Sequence, residues 1–163
     1  MEEIKKVSVI KNITDISSMD EADMALLKQA KEAVHTAYAP YSKFHVGAAV
    51  LLANGEVVLG SNQENIASPS GLCAERVAIF HAGAKFPDVP IVSIAITVKA
   101  ENYVVKEPIT CCGACLQSMS EFEMKFDKEM RIILQGETGN IWIAEGVKTF
   151  LPFMFYVHEL KNK

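Results

Sequence analysis

No stretch of this 163-residue chain is apolar for long enough to cross a bilayer. Its longest apolar run, Val46 to Ala53, falls far short of the roughly 20 residues that a spanning helix needs. Basic blocks are missing too. With a net charge of −4 and no Lys/Arg stripe, the chain does not look like a nucleic-acid binder. The first residues, MEEIKKVSVIKN, have neither the apolar core nor the cleavage site of a signal peptide. A cytosolic location is therefore expected, with no membrane or nucleic-acid partner. Internal repeats and low-complexity tracts are also lacking. The histidines, at 35, 45, 81 and 158, are scattered and none has ligand spacing, so structural or surface roles are expected for them.

What is present is an ordinary globular composition. Half the residues are hydrophobic and 22% are charged, enough for one domain with a real core. Residues 1–19 read as an N-terminal extension, in which Val7 to Ile10 resembles an edge strand and 14–20 a loop. Residues 20–163 read as a single catalytic domain. Met24, Leu27, Ala30, Val34 and Tyr38 recur at helical spacing and predict an amphipathic helix over 20–38, with Ser18 or Asp20 as its cap. Ala39-Pro40 ends it. Strands are predicted at 46–53 and 56–61 on either side of Asn54-Gly55, a strong hairpin signal. Further strands are expected at 91–98, 130–135 and 141–144. Helices are expected at 73–84 and 112–126, and a short turn near 146–150. This alternation predicts an α/β fold, a three-layer α/β/α arrangement around a mixed, roughly five-stranded sheet. Glu121, Glu123, Asp127 and Glu129 read as a solvated helix face. Trp142 reads as a core or interface residue.

Chemistry concentrates at the cysteines. Cys73-Ala74-Glu75 opens one predicted helix, and Cys112-Gly113-Ala114-Cys115 opens another. Helix N-termini present unpaired N–H groups and partial positive charge, which favour the thiolate form that binds metal. A C-x-x-C alone would equally suit a redox pair or half of a structural zinc knuckle. With Cys73 the set becomes three thiolates. Three ligands leave one tetrahedral position of Zn²⁺ open, as catalysis requires, whereas structural sites close with four. Three thiolates would give the cluster a net charge of −1, and Arg76 is placed to withdraw charge from the sulfurs. Glu75, two residues after Cys73, can face the pocket without being a ligand and act as a proton shuttle.

These segments resemble the cytidine deaminase family in its small, homotetrameric, three-cysteine form. The likeness runs from about residue 23 to 157. It includes Tyr38-Ala39-Pro40-Tyr41-Ser42-Lys43-Phe44, Asn62-Gln63-Glu64-Asn65, the two cysteine motifs, and Phe150-Leu151-Pro152-Phe153-Met154-Phe155. The resemblance implies zinc-dependent conversion of cytidine and deoxycytidine to uridine and deoxyuridine with release of ammonia. It further implies that Asn62 and Glu64 bind the ribose, Phe44 packs on the pyrimidine and the Ala74 backbone binds the base edge. Phe155 would close the pocket of a neighbouring subunit, making shared sites in a homotetramer. Cys111 stands where the family has proline, Ser68 where many members carry an aromatic residue, and Leu116 where they often have Arg. Cys111 is expected to be a spare buried thiol; as a fourth ligand it would instead close the zinc site. A related cytosine nucleoside such as blasticidin S is the nearest alternative substrate, although the Asn62-x-Glu64 pair favours ordinary ribose. Deamination of cytosine in a strand of RNA or DNA is disfavoured by the negative charge.

Overall fold

The structure is a computed structural model that describes residues 1–156. His158 lies outside the described residues. Among these residues six strands form one mixed sheet in the order β1-β6-β5-β4-β2-β3. The strands are β1 (Lys11–Ile13), β2 (Phe44–Leu52), β3 (Val57–Ser61), β4 (Ile91–Ala100), β5 (Arg131–Gln135) and β6 (Ile141–Glu145). β4 and β5 pair in parallel, and every other pairing is antiparallel.

The expected five strands become six because the N-terminal segment adds one. It does so at Lys11–Ile13, registered on Ile143 to Ile141, rather than at Val7 to Ile10. Val7 and Val9 remain exposed. Three residues suffice here because β6 supplies a free row of backbone partners, which fixes the register more strongly than local hydrophobicity does.

Period-two alternation sends opposite sides of each strand into two cores. Ala49, Ala95, Ile133, Ile141 and Ile143 face helix α1 (Glu21–Ala33), meeting its Leu26, Leu27 and Ala30. Ala48, Val50, Ile94, Ile96, Ile132 and Leu134 face the other way. They pack under α2 (Ala74–Lys85) and α3 (Gly113–Phe126) through Ala78, Ile79, Leu116 and Met119. The result is the expected α/β/α sandwich. Asp20 takes the N-cap position of α1, though its side chain makes no capping bond. The helix ends at Ala33 and continues as a 3-10 turn through Thr36, short of the expected residue 38.

Two glycines bring the helices close to the sheet. A Cβ on Gly47 would lie 2.1 Å from the Ala30 carbonyl oxygen, so α1 rests directly on β2. A Cβ on Gly60 would lie 2.5 Å from the Ala78 nitrogen and 2.6 Å from the Ala74 oxygen. That contact sets the height of α2, and with it the residues at its N-terminus. The hairpin turns at Asn54-Gly55, where Gly55 has φ +86° and the Asn54 side chain accepts from the Glu56 N–H at 3.1 Å.

Two side-chain networks tie the layers together. Arg131 on β5 binds Asp23 of α1 at 2.8–3.2 Å and also reaches Glu145 of β6. Glu123 departs from the solvated face expected of it. It is half-buried, and its Oε1 accepts the backbone N–H of Met130 at 2.9 Å and of Val147 at 3.0 Å. Leu116 lies in the core beneath α3, and Trp142 packs against the same cluster. Among the described residues no helix is long and apolar enough to cross a membrane.

Candidate functional site

The site forms where α2 and α3 start side by side. Cys73 is the N-cap of α2 and Cys112 the N-cap of α3, both with extended backbone and neither using its side chain to cap. Their sulfurs are therefore spare. Cys115 follows within the first turn of α3 and is fully buried. The Cys73 and Cys112 sulfurs lie 3.9 Å apart, those of Cys112 and Cys115 3.4 Å apart, and all three within 4.8 Å of one another.

This spacing can be tested against a metal. Zn–S bonds of ~2.3 Å in tetrahedral geometry put sulfurs ~3.8 Å apart. The cluster fits that requirement, and three soft donors at two helix N-termini are the chemistry zinc selects. Proton affinities agree with the geometry. The Cys73 thiol is held down to about 5 by the hydrogen bond it receives from Cys115, with Arg76 and Cys112 assisting against burial. Cys115 is correspondingly pushed up by that same hydrogen bond and by burial. The sulfurs thus share protons that a divalent cation would displace. Arg76 Nη2 approaches Cys73 Sγ at 4.0 Å, and its buried Nε has no partner among the described residues.

Glu75 is the second residue of α2, within its first turn, and is only 5% exposed. Burial raises its pKa above the usual carboxylate range, and the negative charge of Cys73 adds to the effect. The buried thiol of Cys111 lies close enough to this carboxyl to offset part of that rise. Cys111 is pushed well up by its own burial and by the charge of Glu75, so it stays a thiol. It is not part of the three-sulfur cluster.

A cleft of about 680 Å³ opens beside Cys73, within the usual range for a small-molecule site. Its lining includes Cys73, Arg76, Asn62, Glu64, Ser68 and Leu72, while Glu75, Cys112 and Cys115 lie outside that lining. The loop from β3 carries Asn62 and Glu64, and the two are held differently. The Asn62 amide bridges the β2 backbone, accepting from Val46 N–H at 2.8 Å and donating to the Phe44 carbonyl at 2.9 Å. One lone pair and one N–H remain for another partner. Glu64 Oε2 accepts from the backbone N–H groups of Tyr41 at 3.0 Å and Ser42 at 3.2 Å. Its pKa is lowered, chiefly by the Ser42 side chain. It therefore presents a charged carboxylate to the cleft.

Other expected site residues stand further off. Ala74 is buried at the start of α2. Phe44 is half-buried beside Val98, Ala100 and Val105, outside the cleft lining. Phe155 is outside the lining too, with an exposed ring. Two contributors escaped sequence reasoning. The anchoring of Glu64 by the Tyr41-Ser42 backbone is visible only once the loops meet. The contact of Cys111 with Glu75 depends on how α2 and α3 pack.

Comparison with known proteins bears on the same region. The family model described as the cytidine and deoxycytidylate deaminase zinc-binding region matches residues 20–127. The cytidine deaminase of Halalkalibacterium halodurans is 38% identical over 138 residues, covering 84% of this chain and 96% of that protein. The crystal structure of cytidine deaminase from Burkholderia pseudomallei superposes with a TM-score of 0.71 at 34% identity, covering 84% of this chain and all of that one. Cytidine deaminase from Mycobacterium leprae superposes at 0.64 with 26% identity over 82% of this chain and 99% of its own. Matched over most of its length in both sequence and fold, the chain belongs to the cytidine deaminase family of zinc-dependent hydrolases.

Proposed function

We propose that this protein hydrolyses cytidine and deoxycytidine to uridine and deoxyuridine, releasing ammonia, in the salvage of pyrimidine nucleosides. Residues 20–163 form the catalytic domain and 1–19 its extension. The observation that carries the reading is the buried carboxyl of Glu75 beside a three-sulfur cluster whose Cys73 opens onto a cleft shared with Asn62 and Glu64.

Cys73, Cys112 and Cys115 hold the zinc. When bound, zinc acidifies a water molecule and so supplies the nucleophile at neutral pH. The chain's own residues do the rest. Asn62 and Glu64 bind the ribose hydroxyls, the amide as donor or acceptor and the carboxylate as acceptor. Both are preorganised by backbone bonds, so little ordering cost falls on substrate binding. Phe44 packs on the pyrimidine and the Ala74 backbone meets the base edge. Glu75 takes the proton of the attacking water and delivers it to ring N3. As the C4–N bond breaks, Glu75 helps protonate the departing amine, which leaves as ammonia. A raised pKa suits a group that must both accept and return a proton near neutrality. The N–H of Cys115, among the unpaired donors at the start of α3, stabilises the oxygen developing at C4. Arg76 offsets the excess negative charge of three thiolates.

A homotetramer with shared sites, in which Phe155 covers a neighbour's cleft, is supported by the exposed aromatic groups Phe153, Phe155 and Tyr156 near the C-terminus. A cytoplasmic setting suits a centre built from reduced thiols.

Replacing Glu75 by Gln tests the role of the carboxyl. The expected result is full zinc content with turnover of cytidine reduced by roughly 10²- to 10⁴-fold. Turnover within a few fold of the parent would remove Glu75 from the mechanism.

A further inference from the structure

The segment that carries Phe155 is tied to the zinc-site helix by one side chain. Gln117, on α3 two residues beyond Cys115, donates from Nε2 to the Phe155 carbonyl at 3.0 Å. Its Oε1 accepts the Phe155 N–H at 3.2 Å. The two bonds grip both backbone polar groups of one residue, as a neighbouring strand would. The amide is held in turn, because Nε2 lies 3.3 Å from Ser120 Oγ, which itself donates to the Gln117 carbonyl at 2.8 Å.

The direction of the chain matters as well. Met154 shares a shallow depression with Ser120, Glu123 and Met124, in the later turns of α3. Phe155 then sits at Gln117. The segment therefore runs back along α3 toward the end that holds the cysteines. With ~1.5 Å of rise per residue, Gln117 stands only ~3 Å along the axis from Cys115. Phe155 thus has a fixed backbone and an exposed ring, 69% accessible. An aromatic side chain held outward in this way loses little further backbone entropy when it docks. A second tie comes from the other terminus. Lys6 Nζ donates to the Pro152 carbonyl at 2.5 Å and lies 5.0 Å from the Phe153 ring centroid.

We propose that Gln117 is a positioning residue for substrate binding: its amide latches the backbone of Phe155 to α3, fixing where that ring projects from this subunit toward a neighbour's cleft. This rests on the proposed role of Phe155 in covering the cleft of a neighbouring subunit. Gln117 touches no reacting atom, so its removal should affect substrate affinity and leave chemistry alone.

The test compares full-length Gln117→Met, Gln117→Glu, Phe155→Ala and the Gln117→Met/Phe155→Ala double variant. Readouts are hydrogen exchange at the Phe155 amide, zinc content, and kcat and KM for cytidine. In Gln117→Met the Phe155 amide should exchange up to about 30-fold faster, which corresponds to about 2 kcal/mol for two lost hydrogen bonds. KM should rise roughly tenfold or more, with kcat within about twofold and zinc retained. Gln117→Glu keeps the acceptor and loses the donor, so its effect should be intermediate. The double variant should match Phe155→Ala, because the latch acts only through that ring. Unchanged exchange at Phe155 in Gln117→Met would refute the latch itself. Faster exchange with an unchanged KM, while Phe155→Ala raises KM, would refute the positioning role. If Phe155→Ala leaves KM unchanged, the proposed role of Phe155 fails and the inference fails with it, whatever the exchange data show.

Discussion

Glu123 offers a sharp test of how the fold supports the site. Its Oε1 accepts two backbone N–H groups, from Met130 before β5 and from Val147 after β6, and the Val147 N–H is shared with Oε2 at 3.2 Å. Glu123→Ala would leave both donors without their partner. Each buried, unsatisfied N–H costs about 1–3 kcal/mol, so the loss should be about 2–5 kcal/mol, allowing for partial access of water. For a chain of this size that corresponds to a fall in Tm of roughly 5–15 °C. Glu123→Gln behaves differently. Its amide oxygen can take the place of Oε1 and keep both bonds, while the buried negative charge disappears. Burial raises the pKa of Glu123, followed by smaller opposing effects from its two backbone bonds. A raised folded-state pKa means that the folded protein binds the proton more tightly than the unfolded chain. Stability from this group is then highest below the ordinary value of 4.5 and declines as pH rises through the raised pKa. Glu123→Gln lacks that decline. Its stability relative to the parent should therefore be most favourable at neutral pH and become less favourable on acidification toward 4.5. Urea unfolding of the three proteins between about pH 4.5 and 8 measures all of this. A Gln variant as unstable as the Ala variant at neutral pH would refute the reasoning, because it would show that the charge, and not the accepting oxygen, holds the two N–H groups.

Two further perturbations probe the framework. Arg131→Met keeps the aliphatic stem but leaves the buried Asp23 carboxylate without its cation, and should cost about 3–5 kcal/mol in urea unfolding. Adding Asp23→Asn should recover part of that loss, whereas a double variant no better than Arg131→Met would place the damage elsewhere. Gly60→Ala puts a methyl group 2.5 Å from the Ala78 nitrogen, so α2 must shift and carry Cys73 and Glu75 with it. The expected outcome is about 1–3 kcal/mol of lost stability together with faster zinc loss to a chelator, and unchanged zinc retention would contradict the link between this contact and the site.

The sequence was most legible where local and tertiary preferences agreed. Cys73 and Cys112 mark helix starts because an extended residue before a helical run is an N-cap, and their metal-binding chemistry needs that same position. Asn54-Gly55 announces the hairpin because Gly55 must adopt a positive φ there. Reading failed where a partner distant in sequence decided the outcome. The edge strand formed at Lys11–Ile13 because β6 offered the pairing, although Val7 to Ile10 has the stronger β character. Glu123 looked solvated because its helical neighbours are acidic, while its true partners are two backbone groups on other elements. Gln117 carries no signal at all in sequence, since a lone glutamine on a helix reads as surface until Phe155 is seen against it.

The central claim is that a zinc centre formed by Cys73, Cys112 and Cys115 serves Glu75 in deaminating cytidine. The most direct test is cytidine turnover by the purified protein, followed by ultraviolet absorbance, before chelation of zinc, after it, and after zinc is restored. The expected result is loss of the cytidine spectrum with one ammonia released per uridine formed, abolished by chelation and recovered with about one zinc per chain. A folded, zinc-loaded protein that leaves cytidine untouched would contradict the claim.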